Sequence, residues 1–446
     1  MLVFPPLGAS RPSSLRLIIP ANGFDQAGHC GGWVGLPRLA PILQQPAAMT
    51  PSPAFVTPAP SATQAQGAPL AGVRILDLTR LLPGPMCTQH LADLGAEVLK
   101  IEDTGAGDYA ARAVRELVNR NKLGLCLDLK QPAGLEVLQR LVREADVLVE
   151  GFRPGVMERL GAGYAALAAI NPRLVYCSLT GYGQSGPLRD AAGHDLNYAG
   201  LSGVAEQIGQ AGQPPALSNV PVADLLGGTL TAVMGVLAAL FDAQRTGRGR
   251  HVDIAVADGV LAHAVLPLAA VNTQGRSSPV GQGKLTGALP CYAIYTAACG
   301  GHLAVAALEK KFWDLFCQHI GRPDWQERHQ PATAEGCEQM RAELQLLIGS
   351  QPLAWWADHL AGVDCCVTPI LKLEEALEHP QFQARGMVLQ QPGGQRQLAC
   401  PVRMSGYQFV LRHPAPQRGE HTDAVLAQAG YSATDIKTLR ARGAVA

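Results

Sequence analysis

Short apolar runs alternate with helical patterns along residues 73–176. The runs are bounded by glycine, proline and polar residues, as is typical of buried strands, and between them apolar residues recur every three or four positions. The predicted strands are residues 73–78, 97–101, 123–127, 147–149 and 174–176, and the predicted helices are residues 86–94, 134–145 and 164–170. Pro83, Gly84 and Pro85 predict a break before the first helix. Strands that alternate with helices at short intervals indicate a parallel, doubly wound α/β sheet.

Composition divides the chain into segments. Residues 1–68 are rich in proline, alanine and serine and have no period, so they bury too little apolar area to offset the entropy of ordering. They are predicted to form a disordered extension, in which Met49 is a candidate start of translation. The other predicted segments are a large domain of residues 69–272 completed by residues 398–446, a linker of residues 273–290, a smaller α+β domain of residues 291–385 and a return linker of residues 386–397.

The longest uncharged apolar run covers residues 225–241. It is bounded by Asp224 and Asp242 and contains the pair Gly227-Gly228. A membrane-spanning helix needs about 20 apolar residues, so the run is short for that purpose. It is predicted to be a buried helix of the large domain.

Charged residues are balanced and scarce. The chain has 36 Lys and Arg against 36 Asp and Glu, and charged residues make up 16% of it. Nucleic acid and anionic membranes require a basic excess, so neither is predicted as a partner. A small anionic ligand needs only a few local basic side chains and is compatible with this balance.

The 11 cysteines are scattered and no CxxC pair occurs. Neither a disulfide framework nor a metal site is therefore predicted, and the cysteines are typical of thiols in a reducing compartment. The N-terminus lacks a basic segment followed by a continuous apolar stretch, so no signal peptide is predicted. These observations favour a cytoplasmic protein.

A histidine and an aspartate follow the fifth predicted strand. His194 and Asp195 come after a glycine-rich connection, in the stretch Gly193-His194-Asp195-Leu196-Asn197-Tyr198. Ligands of α/β sheets bind at the carboxyl ends of the strands, so both are candidates for proton transfer. The alternative is that His194 is a structural or surface histidine. The first strand is followed by no GxGxxG motif, which argues against a dinucleotide.

Two further acids have a functional and an ordinary interpretation. Asp224 stands at the mouth of the apolar run, where it is either a helix N-cap or a nucleophile or base beside an apolar wall. Glu309 closes an apolar run and is either a helix-start acid or part of a site. Basic residues at strand ends, in Leu127-Asp128-Leu129-Lys130 and at Arg153 and Arg159, are either phosphate contacts or solvated charges.

Several motifs together resemble the class III CoA-transferase family, which includes the α-methylacyl-CoA racemases. The resemblance extends from Pro69 to about residue 430. The motifs are Leu76-Asp77-Leu78-Thr79, Gly84-Pro85, Leu91-Ala92-Asp93-Leu94-Gly95-Ala96, Asn121-Lys122, Leu127-Asp128-Leu129-Lys130, Phe152-Arg153-Pro154-Gly155-Val156 and Thr246-Gly247-Arg248-Gly249. The stretch around His194 is similar to the racemase branch, because the transferases generally lack that histidine.

This resemblance implies a fold and a set of roles. It implies a Rossmann-like large domain, a smaller domain and an interlocked homodimer in which Glu309 hydrogen-bonds the catalytic histidine of the other chain. Asp224 matches the carboxylate that both branches use, as a nucleophile in transferases and as an acid/base in racemases. The implied contacts with CoA, which is part of the substrate and not a separate cofactor, are Leu127, Asp128, Leu129, Lys130, Arg153, Arg159, Gly193, Asn197 and Tyr198.

One position departs from the family pattern. After the second strand, family members often carry an arginine that contacts the nucleotide, whereas this chain has Glu102, Asp103 and Thr104. Another base would have to take its place, and Lys100 and Arg112 are the candidates.

The expected reaction is racemisation of 2-methylacyl-CoA thioesters. Neutral His194 would remove the α-hydrogen, protonated Asp224 would return one on the opposite face, and Glu309 would orient His194. The backbone N–H of Asp195 would hold the enolate oxygen. The alternatives are a CoA transferase that forms an acyl-enzyme at Asp224 and a non-catalytic acyl-CoA-binding protein.

Overall fold

The computed structural model describes residues 67–105, 107–391 and 393–446. The predicted disordered extension, residues 1–68, lies outside the described residues except for its last two. The described chain forms two compact units. The larger comprises residues 67–289 and 371–446, and the smaller comprises Pro290–Ile370.

The strands and helices follow one another along both units. The strands are β1 (Arg74–Leu78), β2 (Glu97–Glu102), β3 (Lys122–Cys126), β4 (Val147–Glu150), β5 (Val175–Thr180), β6 (His251–Ala255), β7 (Tyr292–Thr296), β8 (His302–Ala306), β9 (Val367–Ile370), β10 (Val388–Gln390) and β11 (Arg396–Leu398). The helices are α1 (Pro83–Asp93), α2 (Arg112–Val118), α3 (Pro132–Val142), α4 (Val156–Arg159), α5 (Tyr164–Ile170), α6 (Asp195–Leu201), α7 (Ala223–Thr246), α8 (Val256–Ala262), α9 (Val265–Gln274), α10 (Lys310–His319), α11 (Ala334–Ile348), α12 (Leu353–His359), α13 (Leu373–Glu378), α14 (Pro380–Ala384), α15 (Thr422–Gln428) and α16 (Ala433–Ala441).

The large unit is built on a six-stranded parallel sheet. Its strand order is β3-β2-β1-β4-β5-β6, which is the Rossmann order and confirms the predicted fold class. Ile75 in β1 lies opposite Val98 in β2 on one side and Val147 in β4 on the other. The chain leaves β1 in one direction and β4 in the other, so the carboxyl ends of these strands form the switch point where such sheets bind ligands.

Both faces of the sheet are buried because successive side chains of a strand point to opposite sides. Ile75 and Val149 belong to one core cluster and Leu76 and Leu148 to the other. The apolar stretches that predicted the strands therefore read as nearly continuous runs and not as alternating ones. Strand β1 ends before Pro83 as predicted, but α1 begins at Pro83 and not at residue 86. A proline in the first turn of a helix has no cost for its missing N–H.

A buried ionic cluster supports the end of β1. The Asp77 carboxylate lies 3.0 Å from the Lys122 ammonium and accepts hydrogen bonds from the hydroxyls of Thr79 and Thr88, each at 2.6 Å. Burial favours the neutral carboxyl, but the charges of Lys100 and Lys122 outweigh it and hold the pKa of Asp77 below its usual range. The cluster fixes the backbone at Thr79, the first residue after β1.

Helix α7 is the apolar run predicted from the sequence. Its first part, Ala223–Leu230, is π-helical, a feature often found at functional sites. By length and composition α7 could cross a membrane, and α8 with α9 would qualify as a bent second span. Val236 and Leu240 of α7 belong to the core of the large unit, but Met234 and Phe241 on the same helix are exposed. The helix is therefore partly buried, and not fully buried as predicted.

The small unit combines the antiparallel sheet β7-β8-β9 with three helices. Its core holds three buried tryptophans, and the indole N–H of Trp313 donates to the Trp325 carbonyl at 2.8 Å. The unit ends at Ile370, short of the predicted residue 385, because α13 and α14 cluster with the large unit. Strand β9 was not predicted.

The C-terminal segment covers the outer edge of the large sheet. The Asn121 N–H donates to the His413 carbonyl at 2.9 Å, and Leu127 pairs with Val445. Covering β3 in this way removes an exposed strand edge. The two predicted linkers also contain regular structure, since residues 273–290 include the short turn Lys284–Ala288 and residues 386–397 include most of the β10-β11 hairpin.

Candidate active site

A cleft of about 340 Å³ opens at the carboxyl ends of the central strands of the large unit. Its lining includes Thr79 after β1, Gly151 after β4 and Thr180 at the end of β5. It therefore lies at the switch point between β1 and β4. His194 and Asp224, predicted separately from the sequence, line this same cleft.

His194 is placed by the start of helix α6. It occupies the N-cap position with extended backbone, and its own N–H donates to the Asn197 side-chain oxygen at 3.0 Å. Asn197, predicted as a CoA contact, thus fixes the backbone of the histidine. His194 is exposed and lines the cleft, so it is not a buried structural histidine, and its catalytic role stays a prediction.

Asp224 does not serve as a helix N-cap. It is the second residue of α7, and its backbone N–H donates to the Asp195 carboxylate at 2.9 Å. Asp195 therefore supplies the capping oxygen, and the Asp224 side chain faces the cleft. Burial raises the pKa of Asp224 to about 6, the charge of Asp195 adds to the increase, and His194 opposes it. The carboxyl can thus carry a proton near neutral pH.

Tyr198 stabilises the backbone next to His194. Its hydroxyl donates to the Gly193 carbonyl at 2.5 Å, and its ring packs edge-on against Tyr182 with centroids 5.2 Å apart. Burial raises the pKa of Tyr198 to about 12, with Asp224 contributing. The hydroxyl therefore remains protonated and holds the residue before His194. Gly193 and Tyr198, both predicted as CoA contacts, line the cleft.

The Tyr198 ring fits only because two glycines adjoin it. A Cβ on Gly181 would lie 2.4 Å from a ring carbon of Tyr198, and one on Gly193 would lie 2.6 Å from it. We expect Gly181→Ala to displace the ring and to destabilise the protein by about 1–3 kcal/mol, as overpacking does. Urea unfolding measures this change. The matched control is Gly200→Ala, in helix α6, where a Cβ meets open space and stability should not fall.

A Gly181→Ala variant that unfolds at the same urea concentration as the Gly200→Ala variant would contradict this packing.

Three arginines, Arg80, Arg153 and Arg189, line the cleft. Two of them, Arg80 and Arg189, each form an ion pair with a carboxylate. Arg80 pairs with the Asp103 carboxylate and lies 5.4 Å from the ring centre of Phe152. Arginines at strand ends suit phosphate groups, so this set could hold the phosphates of CoA. Among the three, only Arg153 was predicted.

Arg80 and Arg189 could have been found from the sequence. Arg80 follows the first strand almost directly, in the same relation in which Arg153 follows the fourth. Arg189 lies in the connection between the fifth strand and His194. The strand-end argument that identified Arg153 therefore applies to both.

Neither predicted substitute for the nucleotide-contacting arginine reaches the cleft. The prediction for Lys100 was wrong, because this residue is only 2% exposed. Its ammonium donates to the Thr79 carbonyl inside the ionic cluster. The Arg112 guanidinium is exposed and lies 2.7 Å from Glu116. Asp103, at the position where the family resemblance predicted an arginine, forms an ion pair with Arg80 at the cleft.

The other predicted CoA contacts follow β3 or lie in α4. Leu127 packs into the core beneath α15, and the Asp128 carboxylate accepts the Lys130 N–H at 3.0 Å to close a turn. Leu129 is partly buried beside the same core, and Lys130 is exposed. Arg159 is exposed in α4. These side chains are not among those that line the cleft, and their contacts with CoA stay a prediction.

Glu309 belongs to the small unit. It occupies the N-cap position of α10 with an exposed side chain, and no side-chain hydrogen bond caps the helix there. Its predicted bond to the histidine of another chain stays a prediction. Within the described residues, no group of three or more His, Cys, Asp or Glu could hold a metal ion.

Comparison with known proteins decides the family. Residues 70–422 match CoA-transferase family III. The chain belongs to this family. Family III contains both CoA transferases and the α-methylacyl-CoA racemases similar to this chain, so the protein is an enzyme of CoA-thioester chemistry.

Family III relatives of both kinds are similar over most of the chain. The α-methylacyl-CoA racemase of Homo sapiens is 36% identical, covering 83% of this chain and 96% of its own length. The acetyl-CoA:oxalate CoA-transferase of Acetobacter aceti is 34% identical, covering 80% and 95%. A crystal structure of a CAIB/BAIF family protein from Brucella suis superposes with a TM-score of 0.72 at 28% identity, covering 81% of this chain and 99% of that one.

Proposed function

We propose that the protein racemises 2-methylacyl-CoA thioesters by two-base proton transfer at the α-carbon. The observation that carries the proposal is that His194 and a raised-pKa Asp224 line one cleft. A base and a protonated acid facing one cleft are what inversion at a carbon requires. Relatives named as α-methylacyl-CoA racemases support the choice of substrate.

The proton transfers follow from the weak acidity of the α-hydrogen. Neutral His194 removes it from one epimer, and protonated Asp224 delivers a proton to the opposite face of the enolate. The reverse reaction exchanges the two roles. Between turnovers the pair carries one proton, which is why the raised pKa of Asp224 matters.

The enolate oxygen needs a hydrogen-bond donor. The backbone N–H of Asp195 is the proposed donor, because it is the first N–H of α6 and adjoins His194. Arg80, Arg153 and Arg189 are proposed to bind the phosphates of CoA, with Lys130 and Arg159 at the outer end. CoA enters as part of the substrate, so no separate cofactor takes part in the proposed reaction.

The proposed assembly is a homodimer in the cytoplasm. The exposed carboxylate of Glu309, at the start of α10, is accessible to a second chain and is proposed to orient that chain's His194.

Asp195 should tune the acidic limb of the pH profile. Racemisation needs one base and one acid, so kcat/KM should fall at acidic pH, where the pair gains a second proton and no base remains; the raised pKa of Asp224 helps to set that limb. Asp195→Asn keeps an oxygen for the Asp224 N–H but removes a charge that raises the pKa of Asp224. We expect the acidic limb to move to lower pH by up to about one unit. Measured kcat/KM against pH, in both directions, checks this.

Both directions should change equally, because the equilibrium constant between the epimers does not depend on the enzyme. An acidic limb that stays in place in the Asp195→Asn variant would contradict the electrostatic coupling of Asp195 to Asp224.

The second candidate function is CoA transfer between carboxylic acids. Relatives named as CoA transferases favour it, and the cleft carboxylate of Asp224 could attack a thioester to form an acyl-enzyme. This reaction would need Asp224 but not His194. Hydroxylamine would then trap an acyl group on Asp224.

The experiment that separates the candidates incubates the protein with a panel of single-epimer 2-methylacyl-CoAs, with and without free carboxylic acids. Chiral chromatography should show conversion to the other epimer without any acceptor acid. Retained configuration, combined with transfer of CoA to an added acid, would overturn the racemase proposal in favour of the transferase.

A further inference from the structure

Glu150 is a buried acid that the proposed reaction does not use. It is the last residue of β4 and is 4% exposed. Its carboxylate accepts the Phe152 backbone N–H at 2.8 Å. The residues that follow it, Gly151 to Pro154, line the cleft and include Arg153. Through this hydrogen bond Glu150 stabilises the segment that carries Arg153, one of the cationic side chains of the cleft.

A chain of polar groups connects Glu150 with the surface. Ser178 lies opposite Glu150 on β5, and its hydroxyl lowers the pKa of the Glu150 carboxyl. The Ser178 hydroxyl also lies 3.0 Å from Nε2 of His251 on β6. The His251 residue is exposed, and its ring stacks on Tyr164 with centroids 5.1 Å apart. Three neighbouring strands thus link a buried carboxyl to a surface imidazole.

We propose that Glu150 is a positioning residue whose carboxylate, in its charged form, fixes the Gly151–Pro154 segment for CoA binding. The carboxylate acts through the Phe152 N–H and does not touch the substrate. The inference rests on the proposed position of CoA in the cleft. It adds a pH-dependent control of affinity to the proposed function.

The charge of Glu150 changes in the physiological range. Burial raises the pKa of Glu150 to about 7, and the charges of Glu158 and Asp253 add to the increase, whereas Ser178 and the Phe152 N–H oppose it. The titratable groups that face it are Tyr176 and Cys177 on β5, His251 and Asp253 on β6, and Glu158 on α4, while β1 places the uncharged Leu78 opposite. Above about pH 7 the carboxylate is charged and its bond to the Phe152 N–H is strong. Below that pH the bond is between neutral groups and weaker.

Equilibrium binding of coenzyme A to the full-length protein tests the inference. Glu150→Gln keeps an oxygen of the same reach without the charge. The phosphates of CoA also titrate near pH 6, so the readout is the ratio of the Kd of this variant to that of the wild type at each pH. We expect a ratio near one at pH 5.5 and roughly five at pH 8.5, the difference between a neutral and a charged hydrogen bond. A ratio that is the same at both pH values would overturn the proposal.

A second variant tests the link to the surface. Ser178→Ala removes the hydroxyl that lowers the pKa of Glu150, so the pH at which CoA affinity rises should move upward. A transition that stays in place would contradict the link. Failure of the wild type to bind CoA at any pH would instead contradict the position of CoA in the proposed function, so the two failures are distinguishable.

Discussion

Replacement of His194 by asparagine should lower racemisation by roughly 10²- to 10⁴-fold, the usual contribution of a general base. Asparagine retains the extended N-cap backbone that precedes α6, so the fold of the segment should survive. Asp224 remains and can still exchange the α-hydrogen of one epimer. We therefore expect deuterium exchange to be lost from the epimer whose hydrogen faces His194 and to persist slowly in the other.

The matched control is His302→Asn. His302 is an exposed histidine in β8 of the small unit, next to Thr296. This variant should racemise at the wild-type rate. Full racemisation by the His194→Asn variant would remove His194 from the mechanism, and retained CoA transfer with lost racemisation would show that only racemisation needs His194.

Asp224→Asn should lose racemisation by a similar factor, because the amide neither donates nor accepts the proton in turnover. It should also lose any CoA transfer, since both candidate reactions need this carboxylate. The same substitution should stabilise the protein at neutral pH. Burial raises the pKa of Asp224 to about 6 from 3.8, so the charged form is less favourable in the folded state than in the unfolded one.

The pH range of this stabilisation follows from the sign of the shift. The cost of the charge begins as the pH rises past 3.8 and is complete above about 6. The urea midpoint of the Asp224→Asn variant should therefore exceed that of the wild type at pH 8 and match it at pH 3.5. A variant that is inactive and less stable at pH 8 would indicate a structural role for Asp224 instead.

The regular parts of the large unit could be predicted from the sequence because parallel strands are buried on both faces. Val98 and Val147 lie in short apolar runs that are typical of buried strands. The observed strands begin or end within a few residues of the predicted ones. Helix α2 and strand β9 were missed. Only Val118 of α2 is buried, and β9 has a partly exposed pattern, so neither carries a clear apolar period.

Strand-end residues were predictable where the side chain points outward from the sheet. His194 was identified in this way, whereas Asp224 was identified as a lone acid at the mouth of an apolar run. The family motifs supported both, and the structure brings them to one cleft. Lys100 shows where the approach fails. A lysine within a strand looks like a surface charge, but burial beside Asp77 turns it into part of the core. That pairing depends on contacts between distant segments, which spacing along the chain does not reveal.

The first turnover in deuterium oxide tests the central claim most directly. The protein is incubated briefly with a single epimer of a 2-methylacyl-CoA. Both epimers are then separated, and the deuterium content of each is measured by mass spectrometry. If His194 and Asp224 act from opposite faces, the product carries deuterium while the recovered starting epimer keeps its hydrogen. Deuterium appearing equally fast in the starting epimer, or product that retains the original hydrogen, would contradict a two-base reaction in this cleft.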